Sequence, residues 1–262
     1  MELKGSVVVV TGASSGIGLA TARSFAAAGT KVILAARSQA KLEALAEELR
    51  AKGLEAFAVP TDVRERAQVD HLIESAYGRY GRLDILVNNA GRGTAAYVVN
   101  TPLAHYRELF ELNVFGPLHA MQAVIPQMRG HGGGLIINVS SGAGRRHIPG
   151  LSAYGASKAA LDLISNTVRE ELARENIRVM TVYPPNTESE AAKNMLGDLQ
   201  VAMALLMESI SKVVKRERML PVPAEIVAQK IVEAARKEPP DTNLFLDAEM
   251  YIERTVEGRA GA

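Results

Sequence analysis

The stretch Ser6-Val7-Val8-Val9-Val10-Thr11-Gly12-Ala13-Ser14-Ser15-Gly16-Ile17-Gly18 decides the fold. A β-branched apolar run that stops at Thr-Gly predicts a buried strand over 6–10, and the period of the residues after Gly16 predicts a helix over 16–28. The glycines between them follow a Gly-x-x-x-Gly-x-Gly spacing. Glycine lets the backbone turn tightly and approach a pyrophosphate, and the unpaired N–H groups of the helix start complete an anion site. Gly12, Ser14, Ser15, Gly16, Ile17 and Gly18 are therefore the candidate phosphate-binding residues, although one such turn alone is also an ordinary strand–helix junction.

The same alternation continues outward. Strands are predicted near 31–36, 55–59, 85–88, 135–139, 177–183 and 243–246, with helical periodicity over 65–80, 103–128, 154–174 and 223–237. Ser38 can cap a further helix in which Leu42, Leu45, Ala46 and Leu49 share a face, and Gly53 closes it. Strands that alternate with helices over nearly the whole chain predict an α/β class, with one doubly wound domain over 1–262 and helices on both faces of a mostly parallel seven-stranded sheet. The interval 184–223 breaks the rhythm and is read as an insertion that serves as a lid or binding element.

Composition narrows the function classes. The chain has 262 residues and a formal net charge of +1, with 47% hydrophobic and 23% charged residues, as in folded domains. It has no Cys, which excludes disulfide frameworks, thiolate metal sites and a cysteine nucleophile. Aromatics at 5% and no Trp leave little for base stacking, so nucleic acid is not an expected partner. No metal-ligand spacing appears among the 5 His. The first residues lack a long apolar targeting segment, and no run approaches a membrane span. The expectation is a soluble, cytoplasmic chain.

The end of the second strand addresses the nucleotide. An acid there would accept hydrogen bonds from an adenosine ribose 2′-OH and repel a 2′-phosphate. This sequence has Ala36, then Arg37, with Lys41 four residues on, an arrangement suited to the 2′-phosphate of NADP(H); solvated helix-end charges are the plainer alternative. Asp62 and Val63 follow the third strand and could meet the adenine. Asn88-Asn89-Ala90-Gly91 forms a polar turn after the fourth, which places Asn89 and Ala90 at the cofactor edge.

The reactive residues lie further on. Tyr154 and Lys158 are four apart, hence on one helical face, and a nearby cation favours a phenolate and brings it toward use as an acid–base. Ser141 can donate to a carbonyl oxygen, with Ser140 as its rival. Taken together, Thr11–Gly18, Asn88–Gly91, Asn113, Ser141 and Tyr154/Lys158 resemble the short-chain dehydrogenase/reductase family in its compact form, over about the whole chain. The resemblance implies a Rossmann-type sheet and hydride transfer at the nicotinamide. It assigns Tyr154 as acid–base, Ser141 as the carbonyl-orienting hydroxyl, and Lys158 as the residue that lowers the Tyr pKa and holds the ribose. Asn113 would position a water in a proton relay; taken alone it also reads as a kink or surface residue of its helix.

After the sixth strand, Pro184-Pro185-Asn186-Thr187 places Pro185 where the family usually has Gly, and leaves Thr187 to offer backbone contacts to the nicotinamide. This run, with Arg37 and Lys41, is similar to 3-ketodihydrosphingosine reductases. Leu199, Met203, Leu206, Ile210 and Val213 share one helical face within the insertion, and Lys212, Lys215, Arg216 and Arg218 fall at its far end. That element reads as a lid for a hydrophobic ketone, as a packed or subunit face, or as a peripheral membrane contact. Arg145-Arg146-His147 could meet an acidic substrate group or form a solvated loop. The expectation is an NADPH-dependent carbonyl reductase acting as a homodimer or homotetramer, with an NAD-dependent alcohol dehydrogenase or a non-catalytic nucleotide sensor as alternatives.

Overall fold

The computed structural model describes residues 1–187, 221–237 and 243–246. Seven strands, β1 (Val7–Thr11), β2 (Lys31–Ala36), β3 (Ala56–Pro60), β4 (Ile85–Asn88), β5 (Gly134–Val139), β6 (Ile177–Tyr183) and β7 (Asn243–Phe245), form one parallel sheet in the order β3-β2-β1-β4-β5-β6-β7. The strand order reverses between β1 and β4. Their following segments diverge there, opening a crevice at the carboxyl edge where ligands bind in sheets of this kind.

The four valines of β1 show why both faces must be covered. Val8 and Val10 join one apolar cluster with Val32, Leu34, Phe25, Leu42 and Ile231; Val7 and Val9 join another with Ile33, Leu72, Ile73, Met121 and Val124. The first layer holds helices α1 (Gly16–Ala27) and α2 (Gln39–Ala51) with the later Ala224–Arg236 helix. The second holds α3 (Arg66–Tyr80), α5 (Gly116–Gly130) and α6 (Ser152–Glu171), with α4 (Leu103–Phe110) packed on α6. We number Ala224–Arg236 α7. The apolar residues of the inner strands β1, β2, β4 and β5 are thus buried on both sides, and most of them reach zero exposure, whereas the edge strand β3 is only partly covered.

Three details depart from the sequence reading. β1 begins and ends one residue later, because Thr11 pairs with Ala35 and extends the ladder. Ser38 caps α2 through its main-chain carbonyl alone, which accepts from Leu42, and its hydroxyl makes no cap bond. The helix expected over 103–128 is divided by a π-helical segment, Glu111–Phe115. Helices of this type occur as short insertions, often at functional sites, and this one carries Asn113.

Candidate active site

The loop after β1 is compact because its glycines approach other main chain. Gly12 has φ +67°, and a Cβ there would lie 2.8 Å from Asn89 Nδ2 and 2.9 Å from Ala90 Cα. A Cβ on Gly18 would run into the Gly12 carbonyl oxygen. Neither position admits a side chain, and the result is a loop drawn against the β4 turn. Gly16 opens α1. Ser15 is its N-cap, with no side-chain cap bond and no acidic residue in the first turn. The helix start is therefore left with uncapped N–H donors and a positive dipole end, the donor set that a pyrophosphate requires.

Thr11 ties that loop to the next strand. Its Oγ1 donates to Val87 O (3.2 Å) and accepts from the Asn89 and Ala90 N–H groups (3.0 and 3.1 Å), while Asn89 Nδ2 donates to Thr11 O (3.0 Å). Asn89 and Ala90 are thus brought to the crevice, but these bonds commit them to holding the β1 and β4 ends together.

Arg37 is exposed at the end of β2, and its charge bears on Asp62 beyond β3. Asp62 is gripped by Arg64, whose Nε lies 2.9 Å from Oδ1 and whose Nη2 lies 2.5 Å from Oδ2. The Arg64 hydrogen bonds hold the Asp62 carboxyl below its ordinary value, with a smaller contribution from Arg37. Its main-chain N–H is given to Gln68 Oε1. Val63 is buried against Gly116, where a Cβ would sit 2.7 Å from Val63 Cγ2. Sequence reasoning missed Arg64, a pairing two residues away on an irregular turn.

The reactive groups meet at the carboxyl ends of β5 and β6. Ser141 caps a short 3₁₀ turn, Gly142–Gly144, its Oγ accepting from Ala143 N at 3.2 Å. The Ser141 hydroxyl faces the Tyr154 phenol in the first turn of α6. The turn packs tightly on that helix, since a Cβ on Gly155 would lie 2.8 Å from Ala143 O. Burial raises the Tyr154 phenol above its ordinary value, and the Ser141 hydroxyl pulls the other way.

Lys158 is buried at 5% exposure, and its Nζ donates to Val139 O at 2.9 Å. It stands 5.9 Å from the Tyr154 ring centroid. Burial pushes the ammonium down to about 8, opposed by the carboxylate of Asp162. The expected lowering of the Tyr154 phenol by Lys158 is therefore not what this arrangement gives: the ammonium is turned onto the strand carbonyl, and burial governs the phenol.

Asn113 is fully buried in the π segment. Its Oδ1 accepts from Arg92 N (3.0 Å), and its Nδ2 donates to Arg92 O (2.9 Å) and Ser157 Oγ (3.0 Å). Both amide donors are spent on protein, which leaves the second lone pair of Oδ1 and the main chain to meet a relay water. The side chain instead fixes the Gly91–Arg92 turn, where a Cβ on Gly91 would come within 3.5 Å of Lys158 Nζ.

Thr187 pairs with Val222 in an isolated bridge and donates its hydroxyl to Pro185 O at 2.8 Å. The expected helix over 199–213 and the basic residues after it lie outside the described residues. Arg145, exposed, stacks its guanidinium over Tyr183 and Phe245 (5.3 and 5.0 Å to the ring centroids). Among the described residues no helix is long and apolar enough to cross a membrane.

Comparison with known proteins bears on the family and the fold. The family model described as short chain dehydrogenase matches residues 6–199. The chain is 37% identical over 235 residues to glycine betaine reductase of Emericella nidulans, an alignment that covers 90% of this chain but only 18% of that relative's length. Among solved structures it is similar to a short-chain dehydrogenase/reductase of Burkholderia phymatum in complex with NAD (27% identity, TM-score 0.82, 98% of this chain and 93% of that one). It is also similar to L-sorbose reductase of Gluconobacter frateurii complexed with NADPH and L-sorbose (30% identity, TM-score 0.81, 95% and 98%).

Proposed function

Because the chain belongs to the short-chain dehydrogenase family of oxidoreductases, we propose that it is an NADPH-dependent reductase that converts a ketone to a secondary alcohol. The observation that carries this reading is the meeting of Ser141, Tyr154 and the buried Lys158 at the carboxyl edge of the sheet, with Lys158 Nζ 5.9 Å from the Tyr154 ring centroid. The bound nicotinamide supplies the hydride. Ser141 donates to the substrate carbonyl oxygen and holds the developing alkoxide, and Tyr154 delivers the proton to that oxygen. A phenol raised by burial remains protonated at neutral pH, the state required of a proton donor in the reductive direction. Lys158 contributes positive charge beside the reacting oxygen and a hydrogen-bond donor for the cofactor ribose.

Arg37 supports the choice of cofactor. No acid stands at the end of β2, and the one beyond the end of β3, Asp62, is neutralised by Arg64, which leaves a basic surface for a 2′-phosphate with Arg37 and, in the first turn of α2, Lys41. Gly12, Ser14, Ser15, Gly16, Ile17 and Gly18 would hold the pyrophosphate, and Val63, Asn89, Ala90 and Thr187 would line the remainder. Exposed Tyr97, Val98 and Val99 follow β4, where Ala96 N donates to Gly150 O across the segment between Ser141 and Tyr154. This apolar rim supports a hydrophobic ketone, with a long-chain 3-keto lipid precursor as one candidate class. Exposed Leu103, Phe115 and Leu163 on the α4–α6 side support a self-associated enzyme.

The test is oxidation of NADPH and of NADH with ketosteroids, 3-oxoacyl thioesters, long-chain 3-keto amines and small diketones. Turnover with NADPH at least tenfold above NADH on one class is expected. A preference for NADH would favour the alcohol dehydrogenase, and binding of NADPH without turnover on any class would favour the sensor.

A further inference from the structure

Asp162 has no part in the chemistry above, yet it is a carboxylic acid at 8% exposure on the helix of the reactive tyrosine. It lies four residues beyond Lys158, so the two side chains share one face of α6, one turn apart. The ends of two strands close the space around it. Lys158 Nζ is bonded to Val139 O, and the next residue, Ser140, presents its hydroxyl to the Asp162 carboxylate, as does the phenol of Tyr183. Ser140 and Tyr183 are held side by side because Ser140 N donates to Val182 O at 2.8 Å. Above them the Arg145 guanidinium lies over the Tyr183 and Phe245 rings, which stack at 4.5 Å.

One oxygen of Asp162 and the Ser140 hydroxyl are nonetheless buried without a well-aligned hydrogen bond between described residues. A buried acid so placed costs free energy unless something compensates it, and the nearest deeply buried compensating charge is the Lys158 ammonium. Resting on the reading of Lys158 as part of the reductase centre, we infer that Asp162 is a positioning residue whose carboxylate is the counter-charge that keeps Lys158 protonated and aimed across the end of β5. The carboxylate faces Lys158 on its own helix, Ser140 from β5, Tyr183 from β6, and Arg145 from the turn after Ser141; Lys158 in turn faces Tyr154 and Asp162. Burial opposes ionisation of both partners, and each favours the charged form of the other. The pair therefore behaves as a unit. Its second member lies outside the Tyr/Lys spacing by which such a centre is recognised, although the i, i+4 relation to Lys158 was available in the sequence.

The test is an NMR titration of protein labelled at lysine side chains, with Lys158→Met to assign the resonance, in wild type and Asp162→Asn. Loss of the counter-charge should move the Lys158 titration at least about one pH unit lower, and Asp162→Glu should restore it in part. The alkaline fall of ketone reduction should move by the same amount. A second measurement needs no variant: in the wild type the Asp162 carboxyl carbon should report an ionised group at pH 7 and show an inflection where Lys158 titrates. An unmoved Lys158 titration in a folded Asp162→Asn protein, or a protonated Asp162 at pH 7, overturns the inference. Absence of turnover in every protein, with Lys158 shifted as expected, would instead count against the reductase reading.

Discussion

Replacing Lys158 by Met together with Asp162 by Asn, so that neither partner of the buried pair is left charged and alone, should make the folded protein more stable at neutral pH, by an amount that shrinks as pH rises. The ammonium is buried and held near 8, about 2.5 pH units below its ordinary 10.5. At 1.36 kcal/mol per pH unit, keeping it protonated in the folded state costs about 3 kcal/mol at pH 7. A lysine whose folded value is depressed binds fewer protons when folded than when unfolded, so wild-type stability rises with pH through the window from about 8 to 10.5. Methionine has similar length and no charge, hence no such window. The hydrogen bond to Val139 O and the packing difference add terms that hardly vary with pH. The informative quantity is therefore the stability gap between variant and wild type, which should fall by about 2 kcal/mol between pH 7 and 9.5. Urea unfolding at both pH values, with equal m-values for the two proteins, measures it. A gap that stays constant, or that widens at high pH, would refute the assignment of a buried, strained ammonium.

Three further outcomes follow from particular contacts. Gly18→Ala forces a methyl against the Gly12 carbonyl and should lower stability by about 1–3 kcal/mol in urea unfolding and weaken NADPH binding together. Asn138→Ala strips the buried acceptor from Asn88 Nδ2 and the donor from Ser165 Oγ (2.8 Å each), and should cost about 2–4 kcal/mol without altering cofactor selectivity. Arg37→Ala should weaken NADPH roughly tenfold or more while NADH affinity changes little, as read by titration of cofactor fluorescence.

The fold was legible because its strands are short β-branched runs that must be buried on both faces. The runs at 31–36, 85–88 and 177–183 match β2, β4 and β6 residue for residue. The π segment was not legible, since Leu103 to Met128 keeps a continuous helical period. What breaks the helix is a contact 21 residues distant in sequence, Asn113 with the main chain of Arg92. At the site, helical spacing brought Tyr154 and Lys158 together, and the end of β5 placed Ser141. Spacing could not say that the Lys158 amine would turn onto Val139, nor that Arg64 would occupy Asp62. Those choices depend on which buried acceptor lies within reach once strands and helices have packed. Residues 188–220, which include the expected apolar helix, lie outside the described chain, so the substrate side of the site rests on its rim at 97–99.

The role proposed for Tyr154 is that of proton donor in a ketone reduction. It is tested most directly by comparing wild type and Tyr154→Phe on the best ketone of the panel, measuring NADPH affinity by fluorescence and turnover by NADPH oxidation. Affinity within about threefold of wild type and turnover lower by roughly 10²–10⁴ is the predicted result. A Phe variant that keeps full turnover would contradict it.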